Sequence, residues 1–262
     1  DNVTRLGKNM FSQLANVKTI TIGSGVTEWG EAMFGGQSIE TLTVKSPTFD
    51  TLSLSGGGYS GTYHIDTLIL DNPEMEVAGR NSSGLISLWP IHVDELVLAN
   101  VKSVGQRAFQ GEGTNTAPGG IASIKIGNVR EIEARAFMDI YNLKTITFAE
   151  NTGIRSIGTS AFENCVNLGG EIVIPDSCTY VGDFAFQNCD KVENLIIPET
   201  TQLGYSNIFV KFPPLVERME AILAGQFDLK ETPVLDPMAQ PSDWESGHLG
   251  KDNGTGTGDT QV

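Results

Sequence analysis

Residues 156–165 read SIGTSAFENC, and residues 180–189, 24 positions further along, read YVGDFAFQNC. The two segments share a glycine, an Ala-Phe pair and an Asn-Cys pair at the same offsets. The Ala-Phe pair also occurs at 108–109 and 136–137, so that successive phenylalanines are 28, 25 and 24 residues apart. Self-similarity at a period of about 20 to 50 residues is typical of repeat proteins. The chain is therefore predicted to be a solenoid of stacked coils.

A second pattern, apolar-x-x-apolar-x-apolar, predicts one short strand in each coil. Seven copies fit without a gap, and an eighth, at residues 168–174, needs one extra residue near Gly169-Gly170. The middle apolar residue falls at positions 20, 42, 68, 96, 124, 146, 172 and 195. Side chains alternate along a strand, so these apolar residues face a core that only stacked coils can bury. We expect eight coils with a parallel sheet, backed by a ladder of stacked phenylalanines.

Other motifs carry a resemblance to a known family. Residues 143–151 match the leucine-rich-repeat pattern L-x-x-L-x-L-x-x-N. The apolar-Ile/Val-Ile-Pro segments at 172–175 and 195–198, with Val/Ile-Gly-x-x-Ala-Phe and Asn-Cys, resemble the BspA-like, or Treponema-type, leucine-rich repeats. The resemblance implies a mostly β member of the α/β repeat class, a right-handed and gently curved solenoid.

The resemblance covers roughly residues 17 to 210. It is sharp over 93–210 and degraded over 26–92, where the Ala-Phe pair survives only as Met33-Phe34. The solenoid domain is predicted to span residues 1–212.

The repeat stops at Pro213-Pro214, and apolar residues then recur at helical spacing up to Gly225. Solenoids need their open ends covered, so residues 213–229 are predicted to form a C-terminal helical cap. The Pro- and Gly-rich composition of residues 230–262 predicts an extended tail or linker.

The net charge of the 262-residue chain is −15, which disfavours nucleic acid and anionic membrane as partners. The charge keeps an open-ended solenoid soluble, or it attracts a basic partner. The chain begins at Asp1 without Met and is interpreted as an excised or processed segment.

Cys165 and Cys189 hold equivalent positions in adjacent coils, about 4.8 Å apart if the coils stack at strand spacing. That distance permits a disulfide, but buried thiols are common core residues, and we expect both to be reduced. Cys178 has no evident partner, and zinc-type Cys-His spacing is absent. No metal or cofactor is predicted.

No catalytic constellation appears in the sequence. The three histidines are His64, predicted to lie in a loop, His92 beside Pro90, and His248 in the tail. Neither H-E-x-x-H nor a G-x-S-x-G elbow after a strand is present. The chain is predicted not to be an enzyme, and no catalytic residues are assigned.

The exposed face of the predicted sheet is the first candidate binding surface. Its outward positions, one per coil, are Thr21, Thr43, Ile69, Val97, Lys125, Thr147, Val173 and Ile196. Solenoids use such extended faces to bind partners. The strand preference of Thr, Val and Ile explains the same composition without binding.

The second candidate surface consists of insertions at residues 56–63 and 79–92, where the repeat loses its phenylalanine. They carry Tyr59, Tyr63 and Trp89, aromatic residues suited to interface or sugar contacts. Such insertions map to loops on one face of a solenoid, although simple decay of the repeat produces them as well.

The resemblance implies an exported bacterial surface protein that binds another protein or an extracellular matrix, and the absence of catalytic motifs predicts that it is non-catalytic. Two alternatives stay open. The solenoid acts as a structural spacer within a longer surface protein, or it is a carbohydrate-binding module that uses the aromatic insertions.

Overall fold

The computed structural model of the protein describes residues 2–12, 14, 16–30, 33–34, 38–49, 54, 63–78, 91–111, 120–150 and 152–204. The chain divides into two compact units, Asp1–Arg218 and Met219–Val262, and every described residue belongs to the first. The predicted cap and tail lie outside the described residues. Within the described ranges the chain forms strands and turns without an α-helix. The described part of the fold is therefore mostly β, and its α component is not seen there.

Twelve strands, all paired in parallel, form this part of the protein. In chain order they are β1 (Thr19–Ile22), β2 (Ser38–Val44), β3 (Thr48–Phe49), β4 (Tyr63–Val77), β5 (Ile91–Val104), β6 (Gly120–Ile132), β7 (Thr145–Phe148), β8 (Ser156–Ile157), β9 (Gly169–Val173), β10 (Tyr180–Val181), β11 (Lys191–Ile196) and β12 (Gln202–Leu203).

The strands predicted from the apolar pattern pair in sequence order and form what we call the front ladder. It joins β1, β2, the first parts of β4, β5 and β6, and β7. β9 and β11 pair with each other as a separate two-stranded sheet. The register shifts between Val192 and Asn194 of β11, opposite the adjacent residues Gly170 and Glu171 of β9. The extra residue of this pairing is therefore Glu193 in β11, whereas the sequence pattern assigned it to residues 168–174. The continuous front ladder thus has about six turns, and the predicted count of eight coils is not confirmed.

A second set of pairings, the back ladder, was not predicted. It joins β3, the second parts of β4, β5 and β6, and the two-residue strands β8, β10 and β12. β4, β5 and β6 are 15, 14 and 13 residues long because each runs through both ladders. The chain therefore crosses each of these coils as one extended segment that contributes to two walls.

The core lies between the two ladders and the Ala-Phe turns. All inward residues of the apolar pattern are buried except Val17 and Phe148, which are partly buried and pack against the core. Burial of one aliphatic side chain contributes about 1.5–3 kcal/mol, so the stacking of coils is strongly favoured.

The predicted phenylalanine ladder is confirmed. The rings of Phe109, Phe137, Phe162 and Phe186 are fully buried and stack with centroid distances of 5.3, 5.2 and 5.3 Å and interplanar angles of 2°, 10° and 5°. The backbone N–H of each of the first three donates to the carbonyl of the Ala in the next coil at 2.8 Å. The Ala-Phe pair therefore sets both the side-chain packing and the backbone spacing of the turns.

The same turns contain left-handed backbone and a ladder of polar side chains. Asp139, Asn164 and Asn188 have φ values of 62°, 61° and 59°. Asn164 Nδ2 donates to Asp139 Oδ1 at 2.8 Å, and Asn188 Nδ2 donates to Asn164 Oδ1 at 2.7 Å. Asn and Asp tolerate this conformation better than other non-Gly residues, which explains the Asn of the Asn-Cys pair.

Candidate functional site on the front ladder

The front ladder presents one row of outward side chains, and backbone pairing aligns them. Ile20 and Ile22 are buried, so that alternation turns Thr21 outward. The Cα register then links one residue from each of six strands, in the order Thr21, Thr43, Ile69, Val97, Lys125 and Thr147. Val173 and Ile196 are paired in the two-stranded sheet. The eight candidate residues thus form two aligned groups.

A parallel row lies two residues earlier on each strand. It consists of Thr19, Thr41, Thr67, Glu95, Ser123 and Thr145, with Glu171 and Asn194 in the two-stranded sheet. Lys125 Nζ lies 2.7 Å from Glu95 Oε1 and links the two rows by an ion pair. The face is therefore mixed in chemistry: the six-stranded rows have hydroxyls at both ends, with Ile69, Val97 and the Glu95–Lys125 charge pair between them.

The aliphatic residues of the row differ in exposure. Val173 and Ile196 are 48% and 43% exposed and adjoin each other on paired strands. Ile69 and Val97 also adjoin each other on paired strands, but both are half-buried and thus less exposed. Val173 and Ile196 therefore offer the more accessible apolar contact for a partner.

The aromatic side chains of the two insertions are not among the described residues, so their exposure is not compared. Tyr59 and Trp89 lie outside the described residues. The backbone of Tyr63 begins β4 and pairs with Ile91, and nothing is described of its side chain. The insertions stay a prediction.

A cluster of two histidines and an aspartate lies at the start of β4 and β5. His64 and His92 are register partners, and their ring centroids are 5.1 Å apart at 81°. His64 Nε2 lies 2.9 Å from Asp94 Oδ2, and His92 Nε2 lies 3.0 Å from Asp94 Oδ1. Asp66 Oδ1 is 3.6 Å from His64 Nε2. The prediction that His64 lies in a loop is wrong, because it is a strand residue in register with its neighbour.

The sequence contained a signal for this cluster. His64 and His92 each stand one residue before an inward residue of the apolar pattern, Ile65 and Val93, and are 28 residues apart. Each also begins a His-x-Asp triplet, with Asp66 in one coil and Asp94 in the next. Alternation places both members of a triplet on the same face of a strand. Comparing histidines by repeat position would have shown that the four side chains meet.

A shallow open groove of about 570 Å³ begins beside this cluster and crosses the later coils. It is lined by His92, Asp94, Ala122, Asn142, Lys144, Asn167 and Lys191. Asn167 Nδ2 donates to the carbonyl of Tyr141 at 2.7 Å, and Lys191 Nζ donates to Asn167 Oδ1 at 2.5 Å. The groove is thus polar, with lysines at one end and carboxylate at the other.

The three cysteines are free and buried. The thiols of Cys165 and Cys189 donate to the carbonyls of Phe137 and Phe162, each at 3.2 Å. Burial raises the pKa of Cys165 well above its ordinary value and that of Cys189 to about 12. The thiolate is the reactive form of cysteine, so these residues act as packing groups in the core.

The described residues include no helix long and apolar enough to span a membrane.

The family model for the BspA type leucine rich repeat region matches in six copies over residues 1–56 and 102–217. No curated protein matches the chain. The crystal structure of the T. pallidum leucine-rich repeat protein is similar at 17% identity and a TM-score of 0.39, covering 86% of this chain and 89% of that one. A leucine-rich repeat protein from Bacteroides ovatus is similar at 18% identity and a TM-score of 0.37, covering 77% of this chain and 60% of that one. With a family model that matches more than half of its residues, the chain belongs to the BspA-type leucine-rich-repeat family.

Proposed function

We propose that the protein is a non-catalytic binding module that recognises a protein or matrix partner through one sheet face, which comprises the outward rows of the front ladder and the exposed aliphatic pair Val173 and Ile196 of the two-stranded sheet. The carrying observation is the unbroken register from Thr21 to Thr147 over six strands. A preformed surface of this kind binds with little rearrangement, which lowers the entropic cost of association. Leucine-rich-repeat solenoids are in general scaffolds for protein interaction, and membership in the family supports the proposal.

The remaining assignments are part of the same proposal. The protein acts outside the cell or on a bacterial cell surface, where it serves in adhesion. Residues 1–212 are the solenoid of eight coils, 213–229 its helical cap, and 230–262 a tail or linker to further domains. The net charge of −15 favours a partner with a basic contact surface.

The test is a binding assay with two matched double variants. Val173→Lys with Ile196→Lys alters the exposed aliphatic pair on the two-stranded sheet. Val3→Lys with Met10→Lys alters two residues of similar exposure, 55% and 51%, that lie outside all strands. Both doubles add two positive charges and replace apolar side chains of comparable exposure, so that a difference in binding reports where the change is made. Immobilised matrix proteins and a glycan array serve as the probes.

We expect the wild-type protein and the Val3/Met10 variant to bind a matrix protein. The Val173/Ile196 variant should bind the same matrix protein at least about tenfold more weakly. Circular dichroism verifies that all three proteins are folded. Equal binding by both variants would move recognition away from this face. Binding to glycans alone would support the carbohydrate alternative, and binding to nothing would support the spacer.

A further inference from the structure

We propose that His64, His92, Asp94 and Asp66 form a binding site for a divalent transition-metal ion, Zn²⁺ by preference, which ties β4 to β5. Imidazole and carboxylate are ligands that Zn²⁺ accepts readily, and two carboxylates balance its charge. The proposal is independent of the function proposed for the front ladder.

The spacing of the donor atoms fits one ion. One ligand atom each from His64, His92 and Asp94 can be chosen so that all lie within 4.8 Å of one another. Four-coordinate zinc with bonds of about 2.0–2.2 Å holds neighbouring ligand atoms about 3.3 Å apart. The observed contacts, 2.9 Å from His64 Nε2 to Asp94 Oδ2 and 3.0 Å from His92 Nε2 to Asp94 Oδ1, use one carboxylate oxygen each and are within a few tenths of an ångström of that spacing.

The orientation of the rings fits as well. At 81° the imidazoles of His64 and His92 do not stack face to face, and both Nε2 atoms approach the same carboxylate. His64 Nε2 is buried and forms no hydrogen bond, although Asp94 Oδ2 is only 2.9 Å away. A hydrogen bond requires the N–H to point at the acceptor, and His64 Nε2 is close to the Asp94 oxygen without its N–H direction pointing there. A nitrogen placed in this way is suited to donate its lone pair to a cation.

Asp66 supplies the fourth ligand. The register that pairs Ile65 with Val93 and Thr67 with Glu95 places Asp66 beside Asp94. Its Oδ1 is 3.6 Å from His64 Nε2. The three ligand atoms within 4.8 Å of one another belong to His64, His92 and Asp94, and the Asp66 carboxylate has to turn toward Asp94 to join them. With Asp66 turned in, four protein ligands would make a closed site of the structural kind.

The location of the site in the fold suggests a structural role for the bound ion. The family model matches residues 1–56 and 102–217 and omits the segment that holds all four ligands. This segment lies between Phe34 and Phe109, where the Ala-Phe pair is missing from the sequence. At the same register position the flanking strands carry Ser38 and Gly120, so the histidines occur in these two coils alone among β2, β4, β5 and β6. A metal ion would hold two coils together where the usual packing motif has lapsed.

The test is titration of the full 262-residue chain with ZnCl₂ by isothermal calorimetry, together with thermal melting. We expect one Zn²⁺ per chain and a rise in Tm as the ion concentration exceeds Kd, because the ion binds the folded state. His64→Ser and His92→Ser adopt the residue that β2 carries as Ser38, so the strands should tolerate them. Each should weaken binding at least about tenfold and remove the Tm shift.

His248→Gln is the matched control, because it removes the third histidine and should leave both readouts unchanged. Co²⁺ in place of Zn²⁺ should give a visible spectrum without the charge-transfer band of thiolate ligands, which excludes a site on the cysteines. Stoichiometric binding that survives in the His64→Ser, His92→Ser double variant would overturn the proposal. So would the failure of the folded wild-type protein to bind Zn²⁺, Co²⁺ or Ni²⁺ at micromolar concentration.

Discussion

Two parts of the solenoid hold neighbouring coils together by different means. In the regular region, residues 102–204, the turns carry the stacked phenylalanines and the Asp139–Asn164–Asn188 ladder. In the middle region, residues 63–101, β4 and β5 run through both ladders, as β6 does in the regular region, and the Ala-Phe pair is absent. There Asn100 Nδ2 donates to Asp71 Oδ1 at 2.7 Å where the chain turns from one ladder to the other. The front register passes from the middle region into the regular region without interruption as far as β7. Backbone pairing is therefore the shared element of the fold, and the devices at the turns are interchangeable.

The strongest way to break the regular region is to remove a ring from the middle of its stack. Phe162→Ala should lower the free energy of unfolding by about 3–5 kcal/mol, because the ring is fully buried between Phe137 and Phe186. Urea denaturation measures the loss. Phe148→Ala, on a partly buried ring of the front ladder, is the control and should cost clearly less. Equal losses would mean that the stack adds nothing to ordinary burial.

The polar ladders of the two regions can be compared directly. Asn164→Ala removes two hydrogen bonds and puts alanine in a left-handed conformation, for a total cost of about 2–4 kcal/mol. Asn100→Ala removes the short bond to Asp71 and a long one, 3.5 Å, from Asn128 Nδ2, at a position without positive φ, and should cost about 1 kcal/mol. Both are measured by chemical denaturation. Asn164→Gly separates the two causes, because it relieves the backbone and keeps only the loss of hydrogen bonds.

Two glycines differ in how closely the backbone of another coil approaches them. A Cβ at Gly182 would lie 2.5 Å from the nitrogen of Thr159 and 2.8 Å from the carbonyl carbon of Gly158. Gly182→Ala should therefore destabilise the protein by about 1–3 kcal/mol, as overpacking does. Gly7→Ala meets nothing within 4 Å and should be neutral or slightly stabilising. Thermal melting of the two variants tests this contrast. An unchanged Tm for Gly182→Ala would mean that the neighbouring backbones are free to separate.

The smallest effect concerns the buried thiols. The pKa of Cys189 in the folded protein is raised to about 12, so the folded state keeps its proton at pH values where the unfolded state loses it. Its contribution to stability is thus complete below the ordinary thiol pKa of 9.0 and declines as pH rises toward about 12. At neutral pH a thiol reagent should leave Cys165 and Cys189 unmodified until the protein unfolds. The stability difference between wild type and Cys189→Ala should shrink at about pH 11, and a constant difference would contradict the assignment.

The front ladder was predictable because its signal is local and repeated. The pattern around Ile20, Leu42 and Leu68 fixes which residues face the core, and its repetition fixes the register between coils. The back ladder was not predictable, since strands such as Ser156–Ile157 and Tyr180–Val181 are too short to show alternation. Phe11, which stacks on Phe34 at 5.3 Å, was missed because no Ala precedes it.

The histidine cluster was missed for another reason. The sequence neighbours of His64 and His92 give no sign of a shared site, because the two residues are brought together by the coil period that aligns their strands. In a repeat protein, chemistry-bearing residues are compared first by position within the repeat. The direction in which Val173 and Ile196 face follows from the pattern, but their exposure depends on what covers the sheet and needed coordinates.

The outward row from Thr21 to Thr147 also has an evolutionary consequence. Its six members are set about 4.8 Å apart by backbone hydrogen bonds, and their side chains take no part in that pairing. A mutation at one member therefore changes a single point on a surface about 24 Å long and leaves the others in place. Selection can act on the ligand preference of the protein one coil at a time, while the inward residues that specify the fold are inherited unchanged.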